Sequence, residues 1–171
     1  MTRVVLSIGA NLGDRLARLQ SVITGLGDAV AASSQVYETD PWGGVEQDPF
    51  LNAVLIADDP ACDARGWLRR AGEYERAAQR EREVHWGPRT LDVDLIACYD
   101  ADGEIISNER DLILPHPRAQ LRAFVLIPWL DVDPGAELTL ADGRHPVVEL
   151  LYRLQPAGRA GVRPTSLTLS R

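Results

Sequence analysis

The stretch VVLSIGANLGDRLARLQSVITGLG, residues 4–27, contains the first structural unit that the chain predicts. Its first six residues form an apolar run rich in β-branched side chains, which is typical of a strand. Asp14 ends the turn that follows and can cap a helix, whose apolar side chains recur with helical spacing as far as Leu26. Because Gly27 comes directly after them, we expect the helix to end there.

A second set of patterns lies further along the chain. Residues 51–57 and 91–99 are apolar runs with strand character, and residues 35–37 predict a shorter strand. Residues 63–79 carry an apolar stripe at helical spacing, which is typical of core packing. The order of strand, helix, strand, strand, helix and strand predicts an α+β fold, namely a ferredoxin-like βαββαβ sandwich with a mainly antiparallel sheet and helices on both faces.

The second half of the chain adds shorter elements. An Asp-Gly pair at 102–103 is a hairpin signal, and residues 121–130 and 146–154 predict two further helices. A chain of 171 residues, 45% of them hydrophobic, suits one compact domain, which we assign to residues 1–155. The tail, residues 156–171, contains Pro, Gly and Ser, and we expect it to be loosely held.

The charge composition limits the classes of partner. A net charge of −7 argues against broad electrostatic binding to nucleic acid or to anionic membranes. All 18 Lys and Arg residues are arginine, so the chain has no P-loop lysine and no lysine for Schiff-base chemistry. Phosphate must therefore be bound by arginine, histidine, backbone amides or a metal ion. We expect small-molecule substrates, no nucleic acid, no membrane partner, and a monomer.

Compartment signals point to the cytoplasm. No apolar run approaches the roughly 20 residues that span a bilayer, and the N-terminus lacks the long apolar region of a secretory signal. Cys62 and Cys98 are the only cysteines and show neither a CxxC pair nor metal-ligand spacing. Two such thiols are typical of a reducing compartment, so we expect a cytoplasmic protein.

The segment HWGPRTLDVDLI, residues 85–96, carries the strongest chemical signal. On a strand, Asp92 and Asp94 point to the same face, with Cα atoms roughly 6.5–7 Å apart. Two such carboxylates can share a pair of hard cations that are bridged by phosphate oxygens. A pair of solvated aspartates is the alternative for a bare D-x-D, but the preceding W-G-P-R favours metal binding.

Basic side chains are concentrated just before this segment, at Arg76, Arg80, Arg82, His85 and Arg89. Guanidinium groups make the bidentate contacts that a polyphosphate requires. An exposed helix end, with neighbouring glutamates pairing locally, is the alternative. The proximity of the D-x-D pattern favours phosphate binding.

A third group of residues suits a flat heterocycle. Aromatic faces allow stacking, and an asparagine offers both a donor and an acceptor to the edge of a pterin. The group comprises Tyr37, Thr39, Trp42, Phe50, Asn52 and Trp86. Phe50 and Phe124 are the only phenylalanines, and on residues alone both also fit a hydrophobic core.

His116 lies between two prolines in a stiff turn, which suits a donor to phosphate. A purely structural histidine is equally compatible with these residues alone.

Together these segments resemble the 6-hydroxymethyl-7,8-dihydropterin pyrophosphokinases of folate biosynthesis. The similarity covers nearly the whole chain, from G-A-N-L-G-D at Gly9 to F-V-L-I-P at Phe124. It implies a ferredoxin-like α/β/α fold with three mobile loops, near residues 10–14, 40–48 and 80–90. It also implies transfer of the β,γ-pyrophosphoryl group of ATP, the co-substrate, to the pterin hydroxymethyl oxygen, with two Mg²⁺ ions and release of AMP.

The resemblance also implies roles for matching positions. The two magnesium-binding aspartates match Asp92 and Asp94. The pterin-binding residues match Thr39, Phe50, Asn52 and Phe124, and Trp42 on the adjoining loop belongs with them. The loop arginines that aid phosphate transfer match Arg80 and Arg82. The contacts on the ATP side match Glu75, Arg82, Trp86, Arg89, His116 and Arg122.

Three positions depart from the family pattern. Ala10 replaces the usual Ser, and Phe50 replaces the Tyr of some members, which keeps the stacking surface. Asp111 stands where some members have an ATP-contacting Arg, a contact that Arg110 could supply.

Two other functional classes compete with an enzyme. A non-catalytic, ferredoxin-like module that binds a small ligand gives no reason for D-x-D beside W-G-P-R. An RNA-binding sheet needs a basic face with exposed aromatic side chains on its central strands, and the acidic composition argues against it. The sequence therefore favours the enzyme.

Overall fold

The structure of the protein is a computed structural model that describes residues 2–41, 48–80 and 91–171, except for the side chain of Arg80. The first half contains β1 (Thr2–Ala10), α1 (Arg15–Leu26), β2 (Val30–Ser33), β3 (Tyr37–Thr39), β4 (Phe50–Asp59) and α2 (Ala64–Arg80). The second half contains β5 (Asp92–Asp100), β6 (Gly103–Glu104), β7 (Ser107–Glu109), β8 (Leu112–Leu114), α3 (Ala123–Val132), β9 (Glu137–Leu140), β10 (Gly143–Pro146), α4 (Val147–Arg153), α5 (Pro156–Ala160) and β11 (Val162–Pro164). Among the described residues, no helix has the length and apolar character that crossing a membrane requires.

Seven strands form one antiparallel sheet in the order β11-β3-β4-β1-β5-β6, and β2 also pairs with β4. The central strand is β1, which lies between β4 and β5. Near its end, Gly9 pairs with Asn52 of β4 on one side and with Asp92 of β5 on the other. This register brings an amide and a carboxylate to the same end of the sheet.

Side chains on the strands alternate between two layers of helices. On one face, Leu55 of β4 lies in an apolar cluster with Leu19 of α1 and Trp67 of α2. On the other face, Val54 lies in a cluster with Trp129 of α3 and with residues of α4. Burial of each large apolar side chain contributes about 1.5–3 kcal/mol, so these clusters are the main source of stability. The predicted α+β class, with an antiparallel sheet and helices, is confirmed.

The first helix begins and ends where its sequence predicts. Oδ1 of Asp14 accepts a 3.0 Å hydrogen bond from the backbone N–H of Ala17, which satisfies one donor of the first turn. Gly27 follows the last helical residue with a φ of 56°, which glycine adopts without steric cost. The strand predicted at residues 35–37 lies at 37–39 instead, because pairing with β4 and β11 sets its limits.

The C-terminal segment contradicts the expectation that residues 156–171 are loosely held. Val162 of β11 is buried and pairs with Thr39 of β3 within the main sheet. Close to the end of the chain, the backbone N–H of Ser170 donates a 3.0 Å hydrogen bond to Gln20 on α1. Sheet pairing thus gives the segment partners that its composition does not reveal.

Candidate active site

The site forms at the end of the sheet where Gly9 separates Asn52 from Asp92. A Cβ atom added to Gly9 would lie 2.6 Å from Nδ2 of Asn52, which is closer than non-bonded atoms approach. Only glycine therefore lets β1 pass the Asn52 amide without displacing it.

A cavity of about 390 Å³, which we call the first cavity, opens at this end of the sheet. Its lining includes Thr39, Phe50, Asn52, Asp92, Asp94, Arg122 and Phe124. Both phenylalanines are only partly buried, so the cavity, rather than the core alone, receives their rings. Its volume and its mixture of aromatic and polar groups suit a small heterocyclic ligand.

Two buried polar atoms indicate where such a ligand would bind. Oγ1 of Thr39 and Oδ1 of Asn52 have no hydrogen-bond partner among the described residues, and each of these side chains is only 5% exposed. A buried polar atom without a partner costs about 1–3 kcal/mol. Because both residues line the first cavity, a ligand there could satisfy both atoms.

Tyr37 does not line the first cavity but lies behind it, in the protein interior. Its ring lies in a small buried cluster with Ala123 and Val162, and its hydroxyl donates a 2.6 Å hydrogen bond to Asp131. Burial, together with the neighbouring Asp131 carboxylate, raises the pKa of Tyr37 well above its usual value. This residue of the predicted aromatic group thus joins β3 to α3.

The two carboxylates of β5 share one face of the strand. Asp92 and Asp94 both line the first cavity, as the alternation of side chains along a strand requires. Nη1 of Arg122 lies 3.6 Å from Oδ2 of Asp94, which places a positive charge beside that carboxylate. The side chain of Asp94 is 42% exposed, so its oxygens remain accessible to a ligand.

This pair of carboxylates fits Mg²⁺ bound together with a substrate. Within residues 2–41, 48–80 and 91–171, no group of three acidic, histidine or cysteine side chains could hold a metal ion alone. Magnesium typically takes one or two protein carboxylates and completes its shell with water and substrate phosphates. Asp92 and Asp94 provide that kind of partial shell.

A second cavity, of about 290 Å³, lies next to the first. Its lining includes Glu75, Asp94, Arg110, Asp111 and His116. Asp94 lines both cavities, so the two spaces share this residue. The second cavity contains two of the residues that the sequence assigns to ATP.

The hydrogen bonds of His116 determine which of its ring nitrogens can donate. Nδ1 accepts a 3.1 Å hydrogen bond from the backbone N–H of Arg118, so the proton of the neutral ring lies on Nε2. Burial lowers the pKa of His116 below its usual value, although the Asp94 carboxylate acts in the opposite direction. The ring is therefore poised to donate one hydrogen bond from Nε2.

Arg122, which the sequence assigns to ATP, lines the first cavity and not the second. Its guanidinium stacks on the Phe124 ring, 5.6 Å from the centroid, and faces Asp94. One side chain thus contacts both the aromatic wall and the acidic edge of the site.

Some predicted residues lie outside the part of the chain that the structure describes. They are Trp42, Arg82, Trp86 and Arg89, together with the side chain of Arg80. Their assigned roles stay predictions.

Three residues that line the first cavity have no role in the sequence-based prediction: Ser7, Gly9 and Asp40. Ser7 pairs with Asp94 across the sheet, and a buried serine within an otherwise apolar strand was the signal for it. Asp111, one of the departures from the family pattern, receives hydrogen bonds of 3.1 and 3.2 Å from Arg65 on α2. This contact attaches the β7–β8 hairpin to that helix.

Comparison with known proteins gives a consistent family. Residues 5–134 match the family described as 7,8-dihydro-6-hydroxymethylpterin-pyrophosphokinase. The 2-amino-4-hydroxy-6-hydroxymethyldihydropteridine pyrophosphokinase of Mycobacterium tuberculosis is 64% identical over 168 residues, covering 95% of this chain and 89% of the relative. The protein of the same name from Mycobacterium leprae is 62% identical over 175 residues, covering 99% and 92%. That from Methylorubrum extorquens is 40% identical over 162 residues, covering 92% and 97%.

Solved structures agree on the fold. The wild-type HPPK-DHPS of Plasmodium falciparum with SDX-DHP matches with a TM-score of 0.64 at 13% identity. The match covers 89% of this chain and 44% of the solved chain, so this protein spans less than half of that longer one. At this identity the similarity concerns the fold alone.

Proposed function

Because this chain belongs to the 7,8-dihydro-6-hydroxymethylpterin-pyrophosphokinase family, we propose that it transfers pyrophosphate from ATP to the hydroxymethyl group of 6-hydroxymethyl-7,8-dihydropterin, releasing AMP, in folate biosynthesis. The observation that carries this proposal is the position of Asp94, which lines both cavities. Ligands in the two cavities would meet at its carboxylate. Reaction between two bound substrates depends on such proximity.

The pterin binds in the first cavity. Its amide and amine edge donates to Oδ1 of Asn52 and to Oγ1 of Thr39, two buried acceptors in the lining of this cavity that lack a partner among the described residues. Phe50 and Phe124 provide aromatic faces for the ring, and Trp42 joins them through the sequence-based assignment.

ATP binds in the second cavity, with its phosphates toward Asp94. Glu75 and His116 line this cavity, and the Nε2 proton of His116 is available to a phosphate oxygen. Arg122 adds a guanidinium at the boundary between the cavities. The sequence-based roles of the remaining basic and aromatic residues belong to the same proposal: Arg80, Arg82, Trp86 and Arg89.

Asp92 and Asp94 would hold magnesium, and we propose two ions. Bound Mg²⁺ would neutralise charge on the phosphates of the nucleotide. The two carboxylates leave most of the coordination shell to water and to phosphate oxygens, as is usual for this cation at nucleotide sites.

The reaction is an in-line displacement at the β-phosphorus. The pterin hydroxyl oxygen forms a bond to this phosphorus, and the bond from the phosphorus to the oxygen that bridges the α- and β-phosphates breaks. AMP leaves with the bridging oxygen, and the hydroxyl proton passes to water. Arg82 and His116 stabilise charge on the phosphate oxygens, while the adjoining cavities supply the alignment.

The finer details of fold and location also belong to this proposal. The strand order β3-β4-β1-β5, with α1 and α2 on one face, supports a ferredoxin-like βαββαβ core. Cys62 and Cys98 are both free thiols, which supports a reducing cytoplasm. We expect a monomer.

The test combines purified protein, ATP, Mg²⁺ and 6-hydroxymethyl-7,8-dihydropterin, and identifies the products by mass spectrometry. We expect a pterin carrying two added phosphates and an equal amount of AMP. Formation of ADP, or binding of both ligands without any AMP, would exclude the proposed reaction.

A matched pair of variants tests the role of Asp94. The change Asp94→Asn removes a charge where the two cavities meet, and we expect kcat/KM to fall by about 10²–10³-fold. The change Asp100→Asn makes the same substitution at the exposed end of the same strand and should leave kcat/KM within about twofold.

A further inference from the structure

The three-residue strand β3 carries Thr39 into the first cavity and has a neighbour on each side. Thr39 pairs with Phe50 of β4 on one side and with Val162 of β11 on the other. The backbone N–H of Asp40 extends the second pairing with a 3.0 Å hydrogen bond to the carbonyl oxygen of Gly161. Without β11, β3 would be a very short edge strand held from one side only.

One side chain of β11 contacts both sequence neighbours of Thr39. Nη2 of Arg163 lies 2.9 Å from Oδ1 of Asp40 and 3.4 Å from Oε1 of Glu38. Its hydrogen bond to Asp40 lowers the pKa of that carboxyl group below its usual value. The guanidinium therefore links the two side chains that flank the residue facing the cavity.

The same contacts continue to the beginning of β4. Nη1 of Arg15, on α1, lies 3.7 Å from Oε2 of Glu38 and donates a 2.7 Å hydrogen bond to the carbonyl oxygen of Pro49. Pro49 directly precedes Phe50, which lines the first cavity and pairs with Thr39 across the sheet. The Glu38 carboxylate thus lies between two arginines. Arg163 also contacts Asp40, next to Thr39, and Arg15 also contacts Pro49, next to Phe50.

We propose that Arg163 is a positioning residue for the pterin half of the site: through Glu38 and Asp40 it keeps Thr39 directed into the first cavity. This inference rests on the proposed function. It assigns a role to the C-terminal segment, which lies beyond residues 5–134 that match the family. The substrate effect should be selective, because Thr39 lines the first cavity, whereas Glu75 and His116 line the second.

The ion pairs of Arg163 should affect alignment more than global stability. The Arg163 side chain is 45% exposed, and exposed ion pairs typically contribute little to folding stability. Removal of Arg163 should therefore lower Tm by less than about 4 °C in a chain of this size. If Tm changes this little while the pterin Kd rises several-fold, the weaker binding reflects the position of Thr39 and not a loss of folded protein.

The experiment compares Arg163→Ala, Arg163→Lys and the control Arg159→Ala in the full chain. Arg159 lies in the same segment, but its guanidinium stacks on Tyr152, 5.2 Å from the ring centroid. Steady-state assays give kcat and the two KM values, and pterin fluorescence gives Kd for the pterin. We expect Arg163→Ala to raise pterin KM and Kd about five- to tenfold, with ATP KM changed less than about twofold. Arg163→Lys should recover part of the loss, and Arg159→Ala should match wild type.

A variant without the two carboxylates tests whether Arg163 acts on pterin binding through Glu38 and Asp40. In a Glu38→Gln/Asp40→Asn variant, Arg163→Ala should add less than about a twofold further change, because its partners are already neutral. The inference is overturned if pterin and ATP KM rise together, if Arg159→Ala has the same effect, or if wild type and Arg163→Ala bind pterin equally. If wild type neither binds the pterin nor forms AMP, the proposed function fails, and this inference fails with it.

Discussion

The hydroxyl group of Tyr37 donates a 2.6 Å hydrogen bond to the carboxylate of Asp131. Tyr37 lies on β3, two residues before Thr39, and Asp131 lies on α3, which also carries Phe124. The hydrogen bond therefore joins β3, which supplies the polar side chain of Thr39 to the first cavity, to α3, which supplies the aromatic ring of Phe124. We therefore expect both the stability of the protein and the shape of the site to depend on this hydrogen bond.

Loss of this bond should destabilise the protein. The change Tyr37→Phe leaves the Asp131 carboxylate without its phenolic donor, and hydrogen bonds to charged groups contribute about 1.5–3 kcal/mol. We expect the free energy of unfolding in urea to fall by about that amount. Tyr152→Phe is the control, because the Tyr152 side chain is 70% exposed. Equal unfolding midpoints for wild type and Tyr37→Phe would contradict the expected role.

The same residue should make stability sensitive to alkaline pH. The pKa of Tyr37 is raised in the folded state by burial and by Asp131, so the unfolded chain loses the phenolic proton first. The stabilisation is complete below about pH 10, the usual value for tyrosine, and is lost as pH rises above it. Burial also raises the pKa of Tyr99 to about 12, so this residue contributes in the same range.

Unfolding in urea at several pH values between 9 and about 11.5 measures this effect. Wild type should lose stability across the range, and Tyr37→Phe should lose less. Tyr99 and the Cys98 thiol, whose pKa burial raises to about 11, contribute to the loss that remains. Parallel curves for the two proteins would show that Tyr37 does not titrate as described.

Gly9 should be intolerant of any side chain. The change Gly9→Ala places a Cβ atom 2.6 Å from Nδ2 of Asn52 and displaces the side-chain amide that we propose as a pterin contact. We expect pterin KM to rise by about tenfold or more and the free energy of unfolding to fall by about 1–3 kcal/mol. Gly158→Ala is the control, since a Cβ atom there meets nothing within 4 Å. Wild-type pterin binding by Gly9→Ala would refute this reading of the strand.

Removal of Mg²⁺ should abolish the reaction with ATP and leave pterin binding almost unchanged. Chelation with excess EDTA should reduce AMP formation to background, and added Mg²⁺ should restore it, because Asp92 and Asp94 would hold the cation against phosphate oxygens. Pterin fluorescence in the absence of ATP should give a Kd within about twofold of the untreated value, since the proposed contacts of Thr39 and Asn52 with the ring need no metal. AMP formation that persists in EDTA would contradict the assigned role of the aspartates.

Local sequence signals were sufficient for β1 and α1, although they did not reveal β2 (Val30–Ser33). The apolar run of β1, the Asp14 cap and Gly27 are each determined by residues within a few positions of one another, and the structure has all three. β11 could not be predicted in this way. Its three residues have no alternating pattern, and their partner β3 lies more than 100 positions earlier in the chain, so only tertiary pairing defines the strand.

The site, like the fold, is only partly predictable from local sequence. That Asp92 and Asp94 share a face follows from the two-residue period of a strand. That Asp94 borders two cavities does not, because the second cavity depends on where α2 and the β7–β8 hairpin lie beside β5. The contacts of Arg163 with Glu38 and Asp40 likewise require the register of β11, which no local pattern encodes.

The most direct measurement is a crystal structure of the protein with Mg²⁺, 6-hydroxymethyl-7,8-dihydropterin and α,β-methylene-ATP, whose methylene group blocks cleavage at the reacting position. We expect the pterin in the first cavity against Asn52, the nucleotide in the second beside His116, and cations on Asp92 and Asp94 between them. A nucleotide bound elsewhere, or a pair of aspartates that contacts no cation, would contradict the account.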